Sequence, residues 1–220
     1  MAFEIVPTDR VLIVGRAGSG KSTLARVLSY GYRNLVVVDS KHEELVPRAL
    51  IARSGGEFRQ VYPQRSTRVV LRPDPTDNRH SDVDEALGRT LQYGRCRIVI
   101  HEAVDFATST TILPQLRRAV KVGRSLTVGV TICSQRPMGL HNDVIAESEH
   151  VFIFDLQLPG DREKLAGIVG EGALVRVTEP FGFLYYGPAT HGDVVRCPPL
   201  QLPGLTVSSP AAVTRQEASA

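Results

Sequence analysis

The stretch from Val11 to Thr23, VLIVGRAGSGKST, constrains this chain more than any other feature. Four apolar residues lead into Gly15, and Gly15, Gly20, Lys21 and Ser22 fill the pattern G-x-x-x-x-G-K-[ST]. In such a loop a buried strand delivers the chain to glycines, which let backbone N–H groups point inward. The next helix then turns the positive end of its dipole towards bound phosphates. The pattern therefore predicts a polyphosphate site between a strand and a helix.

The residues of this loop are the candidate nucleotide ligands. Lys21 is placed to reach the β- and γ-phosphates, and the Ser22 hydroxyl is placed to ligate Mg²⁺. A glycine-rich turn with a purely structural role is the alternative interpretation. The predicted nucleotide-binding set is Gly15, Arg16, Ala17, Gly18, Ser19, Gly20, Lys21, Ser22 and Thr23.

Composition limits the class of protein. The chain has 220 residues, of which 42% are hydrophobic and 22% charged, as in an ordinary globular protein with a sizeable core. A formal net charge of +3 permits a polyanionic partner without demanding one. The three cysteines are far apart and lack metal-site spacing, which favours buried free thiols. Without a signal-peptide pattern or a long apolar run, we expect a soluble intracellular protein with no transmembrane segment.

Periodic apolar patterns predict strands that alternate with helices, which is typical of an α/β fold with a mainly parallel sheet and helices on both faces. Phe3 to Val6 is a candidate edge strand, and the segments 173–177 and 183–186 are a candidate hairpin. The strands are expected at about 11–14, 35–38, 68–71, 97–100, 126–132 and 150–155, and the helices at about 21–30, 43–53, 82–93, 112–122 and 162–169.

The order of these elements narrows the fold class. We interpret the strand at 35–38, with 68–71 as a further candidate, as an inserted strand, because both lie in sequence between the phosphate-loop strand and the strand at 97–100. Together with a glutamate at the end of the strand at 97–100, this predicts a P-loop NTPase of the additional-strand, catalytic-Glu branch. Residues 1–197 are expected to form the ATPase domain. The Pro-, Ser- and Ala-rich residues 198–220 are expected to form a tail that is disordered or wraps a neighbour.

An apolar strand that ends in an acidic residue is found in the segment 97–102, RIVIHE. In P-loop enzymes such a strand delivers acidic groups beside the Mg²⁺, and a glutamate there can polarise the attacking water. Glu102 is therefore the candidate general base and would contact the metal through water. His101 stands where aspartate is usual, which leaves Mg²⁺ to Ser22, phosphates and water. The alternative is that Glu102 merely caps the next helix.

The segment Ser134-Gln135-Arg136-Pro137 follows the strand predicted at 126–132. Its strand end shares an edge of the sheet with the phosphate-binding loop and Glu102. Gln135 is placed to touch the γ-phosphate or the attacking water, and Arg136 to stabilise transition-state charge in cis or across a subunit boundary. An ordinary turn with an exposed arginine is the alternative.

A basic helix end at 117–122 is followed by Gly123 and Arg124. One interpretation makes Arg124 an arginine finger for the next subunit's ATP. Another has Arg117, Arg118 and Lys121 contact nucleic-acid phosphates. The third is that these cations only complement the helix dipole.

Asp39 and Lys41 follow the strand at 35–38. Asp39 is a weaker candidate for the Mg²⁺ shell and Lys41 for contact with DNA or phosphate, since loop contacts are the more usual role of such a pair. The six histidines lack metal-ligand spacing.

Together these segments resemble the FtsK–HerA superfamily of DNA-pumping ATPases. GRAGSGKST, VVVDSK, RIVIHEAVDFA and GRSLTVGVTICSQRP occur in the order and spacing of that family, and HVFIFDLQLPGDREKLAGI is similar to its last core strand and helix. The resemblance covers roughly residues 10–187. The compact chain is most similar to the genome-packaging ATPases of membrane-containing icosahedral viruses, and His101 departs from the aspartate of the family.

The resemblance implies a RecA-like core that binds ATP and Mg²⁺ and assembles into a homo-oligomeric ring, expected to be a hexamer, around double-stranded DNA. By motif, Glu102 activates water and Gln135 acts as the sensor, while Arg124 or Arg136 completes a neighbour's site. A capsid, portal-vertex or membrane protein is the further expected partner. The host cytoplasm and the packaging vertex of the virion are the expected locations.

Other functions remain open. A small P-loop kinase of a nucleotide or metabolite would need a lid, for which arginines 53, 59, 65 and 68 are available, but Glu102 and Gln135 disfavour it. A non-hydrolysing nucleotide-binding assembly protein has only His101 in its favour. A plasmid or chromosome pump would share every motif of a viral motor.

Overall fold

A nine-stranded sheet forms the centre of the structure, a computed structural model that describes residues 4–75 and 78–200. The strands in chain order are β1 (Arg10–Val14), β2 (Leu35–Asp39), β3 (Leu50–Ala52), β4 (Arg68–Leu71), β5 (Cys96–His101), β6 (Val128–Ser134), β7 (His150–Ile153), β8 (Phe183–Tyr186) and β9 (Val195–Cys197). Their order in the sheet is β3-β4-β2-β5-β6-β1-β7-β8-β9. The first seven strands of that order are parallel, and β8 and β9 are antiparallel, so the predicted mainly parallel α/β fold is confirmed.

Six helices cover the two faces of the sheet within the described residues. They are α1 (Lys21–Ser29), α2 (Gly55–Val61), α3 (Arg79–Tyr93), α4 (Pro114–Val122), α5 (Asn142–Ala146) and α6 (Pro159–Val169). Alternate residues of β1 separate the faces, because Val11 and Ile13 pack with α1 whereas Leu12 and Val14 share a core with α2 to α6. Strands with both faces covered read as continuous apolar runs, and every residue of β2, β5 and β6 is buried. None of the described helices has both the length and the apolar character needed to cross a bilayer.

The inserted strand is β6, and the prediction that 35–38 or 68–71 fills this place is wrong. In the sheet β6 lies between β1 and β5, while β2 and β4 lie on the far side of β5. Sequence order does not fix sheet order, because a parallel crossover can place the next strand on either side. The carboxyl ends of β1, β6, β5 and β2 therefore meet at one edge.

The helix predicted at 43–53 is absent from the structure. Pro47 removes an N–H group and Arg48 has a positive φ of 59°, both of which break a helix. The chain instead forms β3, and the next helix begins at Gly55. Ser54 caps this helix by accepting a hydrogen bond from the N–H of Glu57 at 3.2 Å.

The predicted hairpin between 173–177 and 183–186 is also wrong. The segment 171–174 forms a 3₁₀ turn, and β8 pairs with β7 and β9. Residues 4–6 form no strand, and Phe3 lies outside the described residues, as does the predicted tail from position 201 onwards.

Candidate nucleotide-binding site

Three glycines in the loop between β1 and α1 adopt positive φ angles: 152° at Gly15, 73° at Gly18 and 106° at Gly20. At Gly15 a Cβ atom would lie 2.6 Å from the Cβ of Phe154, so a larger residue cannot make this turn without displacing the core. Gly20 is the N-cap of α1 and turns the chain into the helix that begins at Lys21. The N–H groups of the first helical turn are therefore available to phosphate oxygens.

Lys21 lies across this loop and is mostly buried. Its Nζ donates a hydrogen bond to the carbonyl oxygen of Arg16 at 2.9 Å, and burial lowers the pKa of its ammonium group. Ser19 has a buried hydroxyl without a hydrogen-bond partner among the described residues. A phosphate would supply a counter-charge to Lys21 and a partner to Ser19, so both residues fit an anion site.

A cleft of about 230 Å³ opens beside the loop at the carboxyl edge of the sheet. The order β1-β6-β5-β2 brings the strand ends that carry the predicted chemistry to this edge. Six residues of the predicted nucleotide and catalytic sets line the cleft together: Ala17, Gly18, Lys21, Ser22, Glu102 and Gln135. The weaker candidates Asp39 and Lys41 line it as well.

Glu102 is held by two contacts at the end of β5. Its Oε1 accepts a hydrogen bond from the backbone N–H of Gln135 at 3.1 Å, and its Oε2 lies 3.3 Å from Nζ of Lys41. The backbone of Glu102 is left-handed, with a φ of 57°, and this conformation is energetically unfavourable for a residue other than glycine. Residues held in such strained conformations are found most often at functional sites. Its side chain makes no capping hydrogen bond to the 3₁₀ turn at 103–105, so the capping interpretation is wrong.

Arg136 lies at the carboxyl edge of the sheet, as does the phosphate-binding loop of the same subunit. Its Nε is 3.0 Å from Oδ2 of Asp161, a buried residue in the first turn of α6. Arg16 makes a similar contact, with its Nε 2.7 Å from Oδ2 of Asp155. Both arginines line a depression of about 350 Å³ next to the cleft. The structure thus brings Arg136 near the nucleotide site of its own subunit.

Arg124 does not join this group. It precedes β6 at the amino edge of the sheet, where its guanidinium lies 3.6 Å from Oδ1 of Asp9 and 3.6 Å from Oε1 of Glu149. Strand β6 has seven residues, so about 20 Å of chain separates Arg124 from the cleft.

Two other predicted groups are engaged in contacts within the fold. The Asp39 carboxylate is buried and accepts hydrogen bonds from the backbone N–H groups at 43–44, at 3.2 and 3.0 Å. In the basic helix end, Arg117 and Lys121 both contact Asp143, at 2.9 and 3.3 Å. These contacts give both groups a structural role.

Glu44 is a cleft residue that the sequence did not reveal. It is 4% exposed, and its carboxylate accepts hydrogen bonds from Arg26 at 2.8 Å and from the Tyr30 hydroxyl at 2.7 Å. Nδ1 of His101 lies 3.7 Å from the same carboxylate. Burial would raise the pKa of Glu44, but the hydrogen bonds from Arg26 and Tyr30 and the nearby His101 hold it below its usual range. No spacing signal marks Glu44, because the irregular segment 40–49 brings it back to the cleft.

The oxygen donors in the cleft fit a magnesium ion that is held largely by phosphates and water. Mg²⁺ prefers oxygen ligands and usually keeps several waters beside substrate phosphates. The Ser22 hydroxyl and the Glu102 carboxylate line the cleft. Within residues 4–75 and 78–200, no three His, Cys, Asp or Glu side chains are arranged to hold a metal by themselves. Burial lowers the pKa of His101, which favours a neutral imidazole in place of the usual aspartate.

Several solved structures share this fold. The genome packaging NTPase B204 from Sulfolobus turreted icosahedral virus 2, in complex with AMPPCP, superimposes with a TM-score of 0.73 and 20% identity over 89% of this chain and 100% of that chain. The DNA-packaging ATPase B204 from Sulfolobus Turreted Icosahedral Virus gives 0.65 and 22% identity over 88% and 98%. The pCW3 conjugation coupling protein TcpA with ATPγS gives 0.54 and 15% identity over 86% and 59%. No protein-family model matches the sequence, and no curated protein matches it.

These likenesses establish the fold. The alignment with B204 spans 89% of this chain and all of that chain, so the likeness extends over the fold and not over one part of it. The resemblance to FtsK–HerA packaging ATPases is therefore confirmed at the level of the fold, and the chain has the α/β architecture of a P-loop NTPase.

Proposed function

We propose that this protein is an ATP-hydrolysing motor that translocates double-stranded DNA and packages a viral genome into a preformed capsid. The observation that carries the proposal is the meeting of Lys21, Glu102 and Gln135 at one cleft beside a phosphate-binding loop. The fold shared with the genome packaging NTPase B204, whose solved forms include complexes with AMPPCP and ATP-gammaS, supports the same function.

In this proposal the N–H groups of α1 and the Lys21 ammonium bind the β- and γ-phosphates of ATP. Ser22 would hold Mg²⁺ together with phosphates and water, and the ion would supply neutralisation of the phosphate charge. Glu102 accepts a proton from the attacking water, with its Oε1 oriented by the N–H of Gln135. Oε2 of Glu102 becomes free for that proton when Lys41 leaves it. The Gln135 side chain contacts the γ-phosphate or the attacking water.

The motor is expected to be a ring of identical subunits, proposed to be a hexamer, with double-stranded DNA in its centre. Arg124 can reach an ATP only in a neighbouring subunit, since it lies at the edge opposite its own cleft. Arg136 is the candidate for the site of its own subunit. A capsid, portal-vertex or membrane protein completes the proposed assembly at the packaging vertex, with the host cytoplasm as the site of synthesis.

A plasmid-type DNA pump is the second candidate function, and the likeness to the conjugation coupling protein TcpA favours it. The kinase alternative has weaker support. Arg59 contacts Glu85 at 3.2 Å, and Arg68 donates a hydrogen bond to the carbonyl oxygen of Tyr30 at 3.0 Å. Neither arginine lines the cleft that a kinase lid would cover.

The test is ATP turnover with and without double-stranded DNA, combined with the mass of the particle and the variant Glu102→Gln. We expect DNA to stimulate turnover by a multi-subunit ring. Glu102→Gln should bind ATP as the wild type does but turn it over about 10² to 10⁴ times more slowly, because the general base is lost. Unchanged turnover would remove Glu102 as the base. A monomer that ignores DNA and needs a small phosphate acceptor would favour the kinase.

A further inference from the structure

Arginines precede four neighbouring strands at the edge of the sheet opposite the cleft. Strands β4, β2, β5 and β6 are adjacent and parallel, so the segments that lead into them lie side by side. In sheet order these segments are 62–68, 30–35, 93–97 and 122–128. They contain no acidic residue and six arginines: Arg65, Arg68, Arg33, Arg95, Arg97 and Arg124.

Hydrogen bonds join these segments to one another. The hydroxyl of Thr67 donates to the carbonyl oxygen of Arg33 at 3.4 Å, and Nδ2 of Asn34 donates to the carbonyl oxygen of Arg95 at 2.9 Å. The N–H of Arg95 in turn donates to the carbonyl oxygen of Leu126 at 3.4 Å. Since strands lie about 4.8 Å apart, the four segments span about 14 Å of continuous edge.

Three of the six side chains, those of Arg33, Arg65 and Arg95, are exposed, and we call them the arginine row. None of the three is in an ion pair within the described part of the chain. Beyond the row, Asp9 and Glu149 each lie 3.6 Å from the guanidinium of Arg124. The row itself therefore presents uncompensated positive charge to solvent.

A pocket of about 250 Å³ opens between Arg33 and Arg95, and buried Arg97 lines it. The Arg97 guanidinium donates hydrogen bonds to Oγ1 of Thr131 at 2.7 Å and to the carbonyl oxygen of Asp9 at 2.6 Å. All its hydrogen-bond acceptors in the described residues are uncharged oxygens. Burial lowers the pKa of Arg97 to about 10, so it remains a cation at neutral pH. Asp9 and Glu149 favour its charged form through space, but no carboxylate of the described residues lies within ion-pair distance of it, so its charge also favours an anion in the adjoining pocket.

We propose that the arginine row binds the phosphodiester backbone of double-stranded DNA and that the pocket beside Arg97 receives one of the phosphate groups. The match is one of charge density, because a duplex carries one negative charge per about 1.7 Å of its axis, or about eight over the width of this edge. Contacts of this kind are independent of base sequence. The inference rests on the proposed function, which makes duplex DNA the polymer that the protein acts on.

The experiment compares the double variant Arg33→Ala/Arg95→Ala with the matched control Arg53→Ala/Arg176→Ala, which removes the same charge from exposed positions elsewhere. Binding of a labelled duplex of random sequence is measured at several salt concentrations. We expect the row variant to bind the duplex at least about tenfold more weakly than the wild type. The slope of log K plotted against log salt concentration should become less negative by about 1.8, since each of the two lost phosphate contacts contributes about 0.9. The control should match the wild type, and turnover without DNA should be unchanged in both.

Equal affinity and slope in the row variant and the control would overturn the inference. So would a wild-type protein that hydrolyses ATP but does not bind duplex DNA, an outcome that leaves the ATPase standing. If the protein binds duplex DNA through the arginine row but does not hydrolyse ATP, the inference stands and the proposed motor function is wrong. An anionic membrane surface is the other polyanion that an arginine row could bind, and vesicles of phosphatidylglycerol test it. A row variant that loses vesicle binding but keeps DNA binding would assign this edge to a membrane and overturn the proposal.

Discussion

At the scale of single residues, the Lys21 side chain stabilises the empty phosphate-binding loop and is also placed to bind a phosphate. Its Nζ bonds to the carbonyl oxygen of Arg16, which ties the loop to the start of α1 before any phosphate is present. Burial without a carboxylate partner lowers its pKa, and a bound phosphate supplies the missing counter-charge. The ammonium group is thus prepared to exchange a weak neutral acceptor for a strong anionic one.

Lys21→Ala is therefore expected to weaken nucleotide binding far more than it weakens folding. A hydrogen bond between charged groups contributes about 1.5–3 kcal/mol, so the dissociation constant for an ATP analogue should rise by about tenfold or more. Thermal stability should change little, because the lost bond to Arg16 is offset by removal of a desolvated cation. Lys164→Ala is the matched control, since Lys164 also donates to backbone carbonyls but lies outside the cleft. Nucleotide binding that survives in Lys21→Ala and falls in Lys164→Ala would contradict the assignment.

At the scale of elements, the sequence predicts best where local pattern and burial agree. Strands β1, β2, β5 and β6 are buried on both faces and appear as apolar runs, and the glycine pattern places the loop between β1 and α1. The segment 40–49 could not be predicted, because its conformation depends on a distant partner. There Asp39 binds backbone N–H groups at 43–44 and receives Nε of Arg72, 33 residues away, at 3.2 Å. Glu44 reaches the cleft only through this irregular path.

The amino ends of β1 and β7 are joined by an ion pair between Arg10 and Glu149. This pair makes the stability of the fold depend on pH. Arg10 donates hydrogen bonds to Glu149 from its backbone N–H at 2.7 Å, from Nε at 3.0 Å and from Nη2 at 2.6 Å. Burial would raise the pKa of Glu149, but the bonds from Arg10 outweigh it and hold the pKa below the ordinary value of 4.5. The carboxylate therefore stabilises the fold fully above about pH 4.5, and this stabilisation is lost as the pH falls below that value.

Glu149→Gln should lower the free energy of unfolding at pH 7 by about 1–3 kcal/mol, the contribution of hydrogen bonds to a charged group. Below about pH 4.5 the difference from the wild type should shrink, because the wild type loses its carboxylate as well. Urea unfolding at a series of pH values measures both effects. Glu147→Gln is the control, since Glu147 makes a single 3.2 Å contact to Arg10 and is more exposed. A difference that stays constant with pH, or an equal loss in the control, would show that the charge of Glu149 is not responsible.

At the scale of the whole molecule, the two edges of the parallel sheet carry different chemistry. The carboxyl edge holds the phosphate-binding loop, Glu102 and Arg136, whereas the amino edge holds the arginine row and Arg124. A ring built from heterologous contacts brings one surface of each subunit to a different surface of the next. Arg124 can complete a nucleotide site only in such an arrangement, while Arg136 can act within its own subunit.

The separation of the two arginines leads to a mixing experiment. Arg124→Ala and Arg136→Ala should each be inactive alone, because each lacks a group that stabilises transition-state charge. Mixing Arg124→Ala with Lys21→Ala should restore turnover, since a Lys21→Ala subunit offers its intact Arg124 to an intact loop. In a random equal mixture about a quarter of the interfaces have both an intact Lys21 and an intact Arg124. We therefore expect turnover to recover to about a quarter of the wild-type value. Arg136→Ala mixed with Lys21→Ala should stay inactive, because each subunit then lacks a group of its own site. Recovery with Arg136→Ala, or none with Arg124→Ala in particles that native mass spectrometry shows to be mixed, would reverse the assignment of the two arginines.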